Sequence, residues 1–574
     1  MPIKPQGLRN PHADDASDQT GFSPNDSWLT PDLTPLWLAS QQAATAAQAP
    51  AASWAAAANA DSSATVAIYG NFCSVAATVT TTPGATTGVT TTTASSTVAA
   101  TSTTKTAAPA WVGTLTNAAI KADMTAAITN GTVTYAGLLK VLTDIDASLA
   151  STKTKLSASQ FADLRTIAAN LNNGVSTSSY LASIMQALVN GNAANATWTG
   201  GAAGSVALGN LATGSTELQF AELIGKWFLG TDLPSSKVIL GSTQFSVSYS
   251  NSTKPLFAAA GAGINDINQG YLGDCYLLSG LAEVAYKEQS VISSMFTTNG
   301  NGTYGVRFYV NGAARYVTVN TALANGGNIF NNGGSAIWAS LAEKAYAELQ
   351  ASGVYTGNSI NYGNSYTTIG NGGAPEIALE AITGASQITD FRAMGGSWGK
   401  VVYNSSFGVN AYTTGNSTSG VLATIAASLA AGDDVILSSY TNAKDSTGKT
   451  TLVANHAMSI YGYNSSNGML QVRNPWGSAS GQYWQTTFEV SLATLLAAGD
   501  TITVDNVGDA KKLAATTTTT SSGLKLTADV NDLSAAASGF VQAIASLPDG
   551  GSSSVAFTQG LGSQQHTLAM PMAA

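Results

Sequence analysis

Apolar residues recur at helical spacing in several stretches of the chain, and the strongest of them begins at Cys275. Leu277, Leu278, Leu281, Ala282 and Ala285 fall on one face of a 3.6-residue repeat, which predicts a buried helix. Gly270 and Gly273 allow a tight turn ahead of it, and Asp274 stands where an N-cap belongs. The same periodicity predicts helices at 135–145, at 161–171 behind a cap at Ser157 or Ser159, at 180–189, and at 217–229. Alternating residues at 303–310 and 314–319, separated by Asn311-Gly312, predict a β-hairpin. A helix follows at 340–350, and strands are predicted at 434–440, 452–463, 469–473 and 483–490. Helices and strands in separate runs give an α+β class.

The ends of the chain read differently. Residues 1–110 are rich in Ala, Thr and Ser, with an Ala-rich helix expected at 41–60 and an isolated strand at 64–69. Residues 111–238 read as a small helical domain, either a spacer or a prodomain that covers a cleft until it is cleaved. Residues 239–510 form the main globular part, divided at 384/385, and 511–574 are a Thr/Ser-rich tail. One amphipathic helix is expected in that tail, carrying Leu533, Phe540, Val541, Ile544 and Leu547.

Charge and composition exclude several functions. A net charge of −9 leaves no basic face for nucleic acid. No strongly apolar run is long enough to span a membrane, and no N-terminal signal peptide is evident. The expectation for localisation is cytoplasmic, or export through a C-terminal signal as in bacteria. Two cysteines and three histidines supply neither a disulfide framework nor a zinc cluster.

Those few residues are nevertheless well placed for nucleophilic catalysis. Cys275 falls at a helix N-terminus, where free N–H groups and the positive dipole end favour thiolate. Gln269, six residues earlier, is positioned to aim an amide N–H at an oxyanion. His12 and His566 lie in polar surroundings without a scaffold, whereas His456 lies in an apolar strand. Eighteen residues on, Asn474 can accept the imidazole Nδ1–H and leave Nε2 to face the thiol, with Trp476 covering that bond.

The motif Gln269-Gly-Tyr-Leu-Gly-Asp-Cys275 together with Arg473-Asn-Pro-Trp-Gly477 resembles the protease core of the calpain family, a branch of the papain-like cysteine proteases. Trp338-Ala-Ser-Leu-Ala-Glu-Lys-Ala-Tyr346, the segment from Gly372-Gly373 to Thr383-Gly384, and Asn455-His-Ala-Met-Ser459 resemble further family motifs in the same order. The resemblance covers roughly residues 240–510 and implies a two-lobed papain-like fold, Cys275 on one lobe and His456 with Asn474 on the other. It implies a cysteine endopeptidase acting on proteins or peptides through an acyl-enzyme, with no organic cofactor.

The resemblance also implies Ca²⁺ as a cofactor to be tested. Asp266, nine residues before the cysteine, holds the position of one acidic ligand, and Glu376 is the nearest candidate for a second, displaced by about one residue. The acidic loop expected after Gly477 is replaced by Ser478-Ala-Ser-Gly-Gln482, which removes the carboxylates of a second site. Tyr276 stands where the family carries Trp, and Asn455 where it carries Gly. Two other readings stay open: an exported adhesin or scaffold that uses the domain for binding, and an acyl-transfer enzyme of transglutaminase type.

Overall fold

The computed structural model describes residues 108–508 except 327, 359 and 360, and beyond them only the strand segments 518–520, 523–528, 554–561 and 564–571. The expectations for 41–60, 64–69 and the helix through Leu533 and Leu547 lie outside the described residues. The four late segments pair into one sheet that the Thr/Ser composition did not predict.

The first helices are α1 (Ala118–Ala127), α2 (Tyr135–Thr152), α3 (Ala158–Asn170), α4 (Ser179–Val189) and α5 (Glu217–Ile224), the last continuing as a π-turn to Leu229. Ser157 caps α3 in a reciprocal pair with Gln160, and Thr134, Ser178 and Thr216 cap α2, α4 and α5. Helix α1 was not predicted because its apolar positions (Ile120, Met124, Ala127) are sparse among small residues. These helices share one apolar core containing Leu138, Leu142, Leu164, Ile184, Phe220 and Phe228.

Helix α6 (Cys275–Lys287) is the axis of the next core, and it is buried from Cys275 to Ala285. The hairpin β1 (Thr303–Val310) and β2 (Ala313–Asn320) packs on it, with Asn311 and Gly312 both at positive φ as a tight type I′-like turn requires. Period two assigns the hairpin's faces: Val306, Phe308, Val317 and Val319 join the core of α6. Gly305, Tyr316 and Thr318 face the helical segment instead. There Tyr180 lies tilted against Tyr316, ring centres 5.8 Å apart, and hydrogen-bonds Thr318 at 2.8 Å, and Thr318 Oγ1 donates to Trp227 O. A Cβ on Gly305 would lie 2.5 Å from the Tyr180 ring, so glycine is what admits that ring. Helix α7 (Trp338–Leu349) and helix α8 (Pro375–Thr383) complete this part.

The remaining chain forms β3 (Gln387–Met394), β4 (Ser397–Asn404), β5 (Val409–Asn416), α9 (Thr418–Ala431), β6 (Val435–Ser439), β7 (His456–Asn464), β8 (Met469–Arg473), β9 (Thr487–Val490), α10 (Leu492–Ala498) and β10 (Thr501–Asp505). The strands make one antiparallel sheet in the order β5-β4-β3-β10-β6-β7-β8-β9. Its two faces alternate residue by residue: Ile436 and Ala457 pack toward α6, while Val435, Leu437 and Met458 join Val421, Ile425 and Leu495 on the opposite face. The strand predicted from 452 starts only at His456, behind a turn at Ala454-Asn455, and the one predicted from 483 starts at Thr487, behind an isolated bridge from Trp484 to Thr450. The observed mixture is α+β, as the pattern predicts.

Candidate active site

The glycine-rich loop ahead of α6 is strapped on both sides by backbone hydrogen bonds. Tyr271 and Leu272 N–H donate to Asn328 O and Ile329 O, Gly273 N–H to Gly370 O, and Gly372 N–H back to Gly273 O. A Cβ on Gly270 would sit 2.1 Å from Asn328 O, and one on Gly273 2.6 Å from Gly370 O, so both glycines are required by close approach. The loop also reaches the other half of the site, since Gln269 N–H donates to Pro475 O at 2.8 Å.

Cys275 opens α6 and is nearly buried. Its Sγ accepts from Ala457 N–H at 3.4 Å, which fixes the sulfur against the first residues of β7. Burial, with the neighbouring Asp274 adding to it, pushes the Cys275 thiol up to about 11, and the Ala457 N–H offsets only part of that. Burial thus opposes the thiolate that the helix N-terminus favours. Asp274 is also corrected: it occupies the N-cap position, but its side chain caps nothing and is wholly buried.

His456 begins β7, and Asn474 follows β8 directly. The antiparallel register, with Ser459 opposite Arg473, brings the start of one strand beside the end of the other. His456 Nε2 lies 3.0 Å from Asn474 Oδ1, and the same oxygen accepts from Trp476 N–H at 3.0 Å. A backbone N–H can only donate, so the atom it faces is oxygen, and Nε2 must carry the hydrogen. The bare nitrogen of the neutral ring is then Nδ1. This reverses the expected assignment, because strand register rather than residue type decides which ring edge meets the asparagine. Trp476 covers the pair, its ring centre 4.8 Å from the imidazole, and is itself met edge-on by Trp484. Trp484, which sequence reasoning left aside, had no signal beyond being aromatic.

Gln269 is near this group but is not yet turned to an oxyanion. Its Nε2 donates to Leu272 O at 2.7 Å and reaches Asp274 Oδ1 at 3.5 Å. One amide hydrogen is thus committed and the second held weakly. Tyr276 fills the place of the family's Trp by burying its ring beside Tyr346 and donating its hydroxyl to Ile369 O.

Asp266 and Glu376 are engaged separately. Asp266 Oδ2 accepts from Gly263 N–H at 2.9 Å and from the Trp338 indole at 2.7 Å, closing the turn Ile264–Asp266. Glu376, in the first turn of α8, is pushed up by burial and then by Asp390 on β3. Among the described residues no three acidic, His or Cys side chains gather to hold a metal ion. A Ca²⁺ site needs six to eight oxygens.

A family model described as calpain family cysteine protease matches residues 243–491. Calpain-8 of Mus musculus is 26% identical over 240 residues, 39% of this chain and 29% of that protein. The calpain-2 catalytic subunit of Gallus gallus is 36% identical over 107 residues, 17% of this chain and 15% of its own length. The calpain-type cysteine protease DEK1 of Zea mays is 26% identical over 245 residues, 40% of this chain and 10% of that protein. The chain thus spans less than a third of the length of each of these relatives. The motifs around Cys275 and His456 lie within the matched segment: residues 243–491 are a calpain-like cysteine protease domain.

Proposed function

We propose that this domain is a cysteine endopeptidase working through Cys275, His456, Asn474 and Gln269. The observation that carries the reading is the hydrogen-bonded trio of His456, Asn474 and the Trp476 N–H, which leaves the imidazole with one defined basic nitrogen beside the strand that anchors the sulfur. Burial disfavours the thiolate, so this reading gives His456 the role of base: Nδ1 takes the thiol proton as Sγ attacks a peptide carbonyl. The oxyanion forms against the Cys275 N–H and the second hydrogen of Gln269 Nε2. The imidazolium returns its proton to the amine, the C–N bond breaks, and a thioester remains. Water, deprotonated by the same nitrogen, then releases the acid and restores the thiol.

The helical segment before the core serves this reading as a buttress. Its bonds run to the outer face of the hairpin β1–β2 and through Asp232 O to Asn364, which supports a structural role over a cleft-covering prodomain.

Casein incubated with wild type and with Cys275→Ala tests the activity. Cleavage by wild type alone is expected, and equal cleavage in EDTA and in Ca²⁺ would leave Asp266 its turn-closing role alone. Loss of activity in EDTA would instead give Asp266 a cation. No cleavage in any lane would move the domain to a binding role.

A further inference from the structure

The two loops that flank His456 and Asn474 are stitched to each other away from that pair. One runs from β6 to β7 and ends on His456; the other runs from Asn474, just past β8, to β9. Their backbones join twice: Thr450 N–H donates to Tyr483 O at 2.9 Å, and Gln485 N–H donates to Thr450 O at 2.8 Å. A side-chain bond crosses between the same loops, from Gln485 Nε2 to Asp445 Oδ2 at 2.5 Å. Asp445 Oδ1 meanwhile accepts from Thr447 N–H at 2.8 Å, the Thr447 hydroxyl at 2.6 Å and Lys449 N–H at 3.0 Å. These donors, the Thr447 side chain first and Gln485 next, pull the Asp445 carboxyl down to about 2. A carboxylate only accepts, so the Gln485 atom that faces it is the nitrogen.

Gln485 stands between two residues that hold the site. On one side Trp484 meets Trp476 edge-on, ring centres 5.6 Å apart, and donates its indole N–H to Gly477 O at 2.9 Å, while Trp476 covers His456. On the other side Thr486 O accepts from Asn474 N–H at 2.9 Å, and Thr486 Oγ1 donates to Gly477 O. In the first loop Ala443 N–H donates to Leu452 O and Thr451 N–H to Ala443 O. There Asn442 Oδ1 accepts from Ala454 N–H, two residues before His456, at 3.0 Å. We propose that Asp445 and Gln485 are positioning residues for His456 and Asn474, closing the two loops into one clamp. This rests on the endopeptidase reading. The physical argument concerns slack. Backbone bonds between loops outside a sheet open at low cost, and any opening here passes to the Trp476 cover and the Asn474 N–H. A hydrogen bond to a carboxylate is roughly twice as strong as a neutral one, so the Asp445–Gln485 bond resists that opening where the two backbone bonds alone would not.

Gln485→Glu sets carboxylate against carboxylate and should open the clasp. Combining it with Asp445→Asn restores a donor facing an acceptor, because the new amide oxygen still accepts from Thr447 and Lys449 while its nitrogen donates across the loops. The first measurement needs no turnover: hydrogen–deuterium exchange of the full chain, read by mass spectrometry. In Gln485→Glu, exchange across 443–453 and 482–486 should quicken together by about tenfold, and the double variant should regain wild-type protection. Unchanged exchange in Gln485→Glu, or quickening in one loop alone, would overturn the clamp. The second is steady-state peptide hydrolysis. Gln485→Glu should lose about fivefold or more in kcat with KM little changed, and the double variant should return to within about twofold of wild type. In an Asn474→Ala background Gln485→Glu should add no further loss. A double variant that stays slow, or full additivity with Asn474→Ala, would overturn the positioning role. A wild type with protected loops and no turnover would remove the endopeptidase reading and the positioning with it, while the clamp stood.

Discussion

Asn455 has φ of 55°, a left-handed conformation that glycine adopts freely and asparagine more readily than most residues. Asn455 stands where the resembled family carries Gly, and it preserves a left-handed turn into β7. Asn455→Gly should therefore leave activity and melting temperature nearly unchanged. Asn455→Val should cost about 1–3 kcal/mol of stability and disturb His456, measurable by urea unfolding and peptide turnover. At Asn474 the loss is chemical rather than conformational. Asn474→Ala removes the acceptor that fixes the His456 tautomer and orphans the Trp476 N–H, so kcat should fall by about 10²-fold or more with the fold intact by circular dichroism.

At the scale of elements, the site depends on how α6 meets the sheet. Ser279 Oγ donates to Ala457 O and Ser459 Oγ to Ser279 O, each at 2.9 Å and each buried. Further along, Lys287 pairs with Glu283 at 2.9 Å and donates to Asp433 O. This seam carries the sulfur of Cys275 to the N–H of Ala457, so slack in it becomes slack between the proposed nucleophile and base. Ser279→Ala and Ser459→Ala should each destabilise by about 1 kcal/mol, read from the urea midpoint, because each removes the donor to a buried carbonyl. Each should also slow turnover by about threefold through looser alignment.

For the whole molecule, buried carboxyl groups set how stability depends on pH. Burial pushes Glu283 from 4.5 up to about 7 and Glu348 from 4.5 up to about 8, and Asp500 from 3.8 up to about 6. In the window between the unfolded and folded values the native state holds protons that the unfolded chain has released. Their stabilisation is therefore fullest below the unfolded values and is lost as pH rises through the folded ones. The melting temperature should be lower by about 5 °C or more in mildly alkaline buffer than in mildly acidic buffer, by scanning calorimetry. A second consequence concerns truncation. Tyr180, Trp227 and Asp232 bond to the hairpin and to Asn364. A fragment starting after 235 should aggregate on expression where one starting at 108 stays soluble, as size-exclusion chromatography would show.

By itself the sequence determined the local elements with strong periodicity or specific turn chemistry: α6 with its apolar face, the Ser157 cap, and the hairpin at Asn311-Gly312. It also narrowed the candidates for cysteine chemistry, because a chain with so few Cys and His leaves few combinations. The strands β3, β4 and β5 and the helices α9 and α10 were not read from it, since their apolar residues are split between two sheet faces or diluted by Ala and Thr. Only the tertiary structure decided what those residues do to one another. Strand register chose the nitrogen that meets Asn474, burial pushes the Cys275 thiol up against the pull of the helix dipole, and Asp274 stands at the N-cap without capping it. The reason is common to all three: ionisation and hydrogen bonding depend on solvent exclusion and on neighbours distant in sequence, which no local pattern encodes.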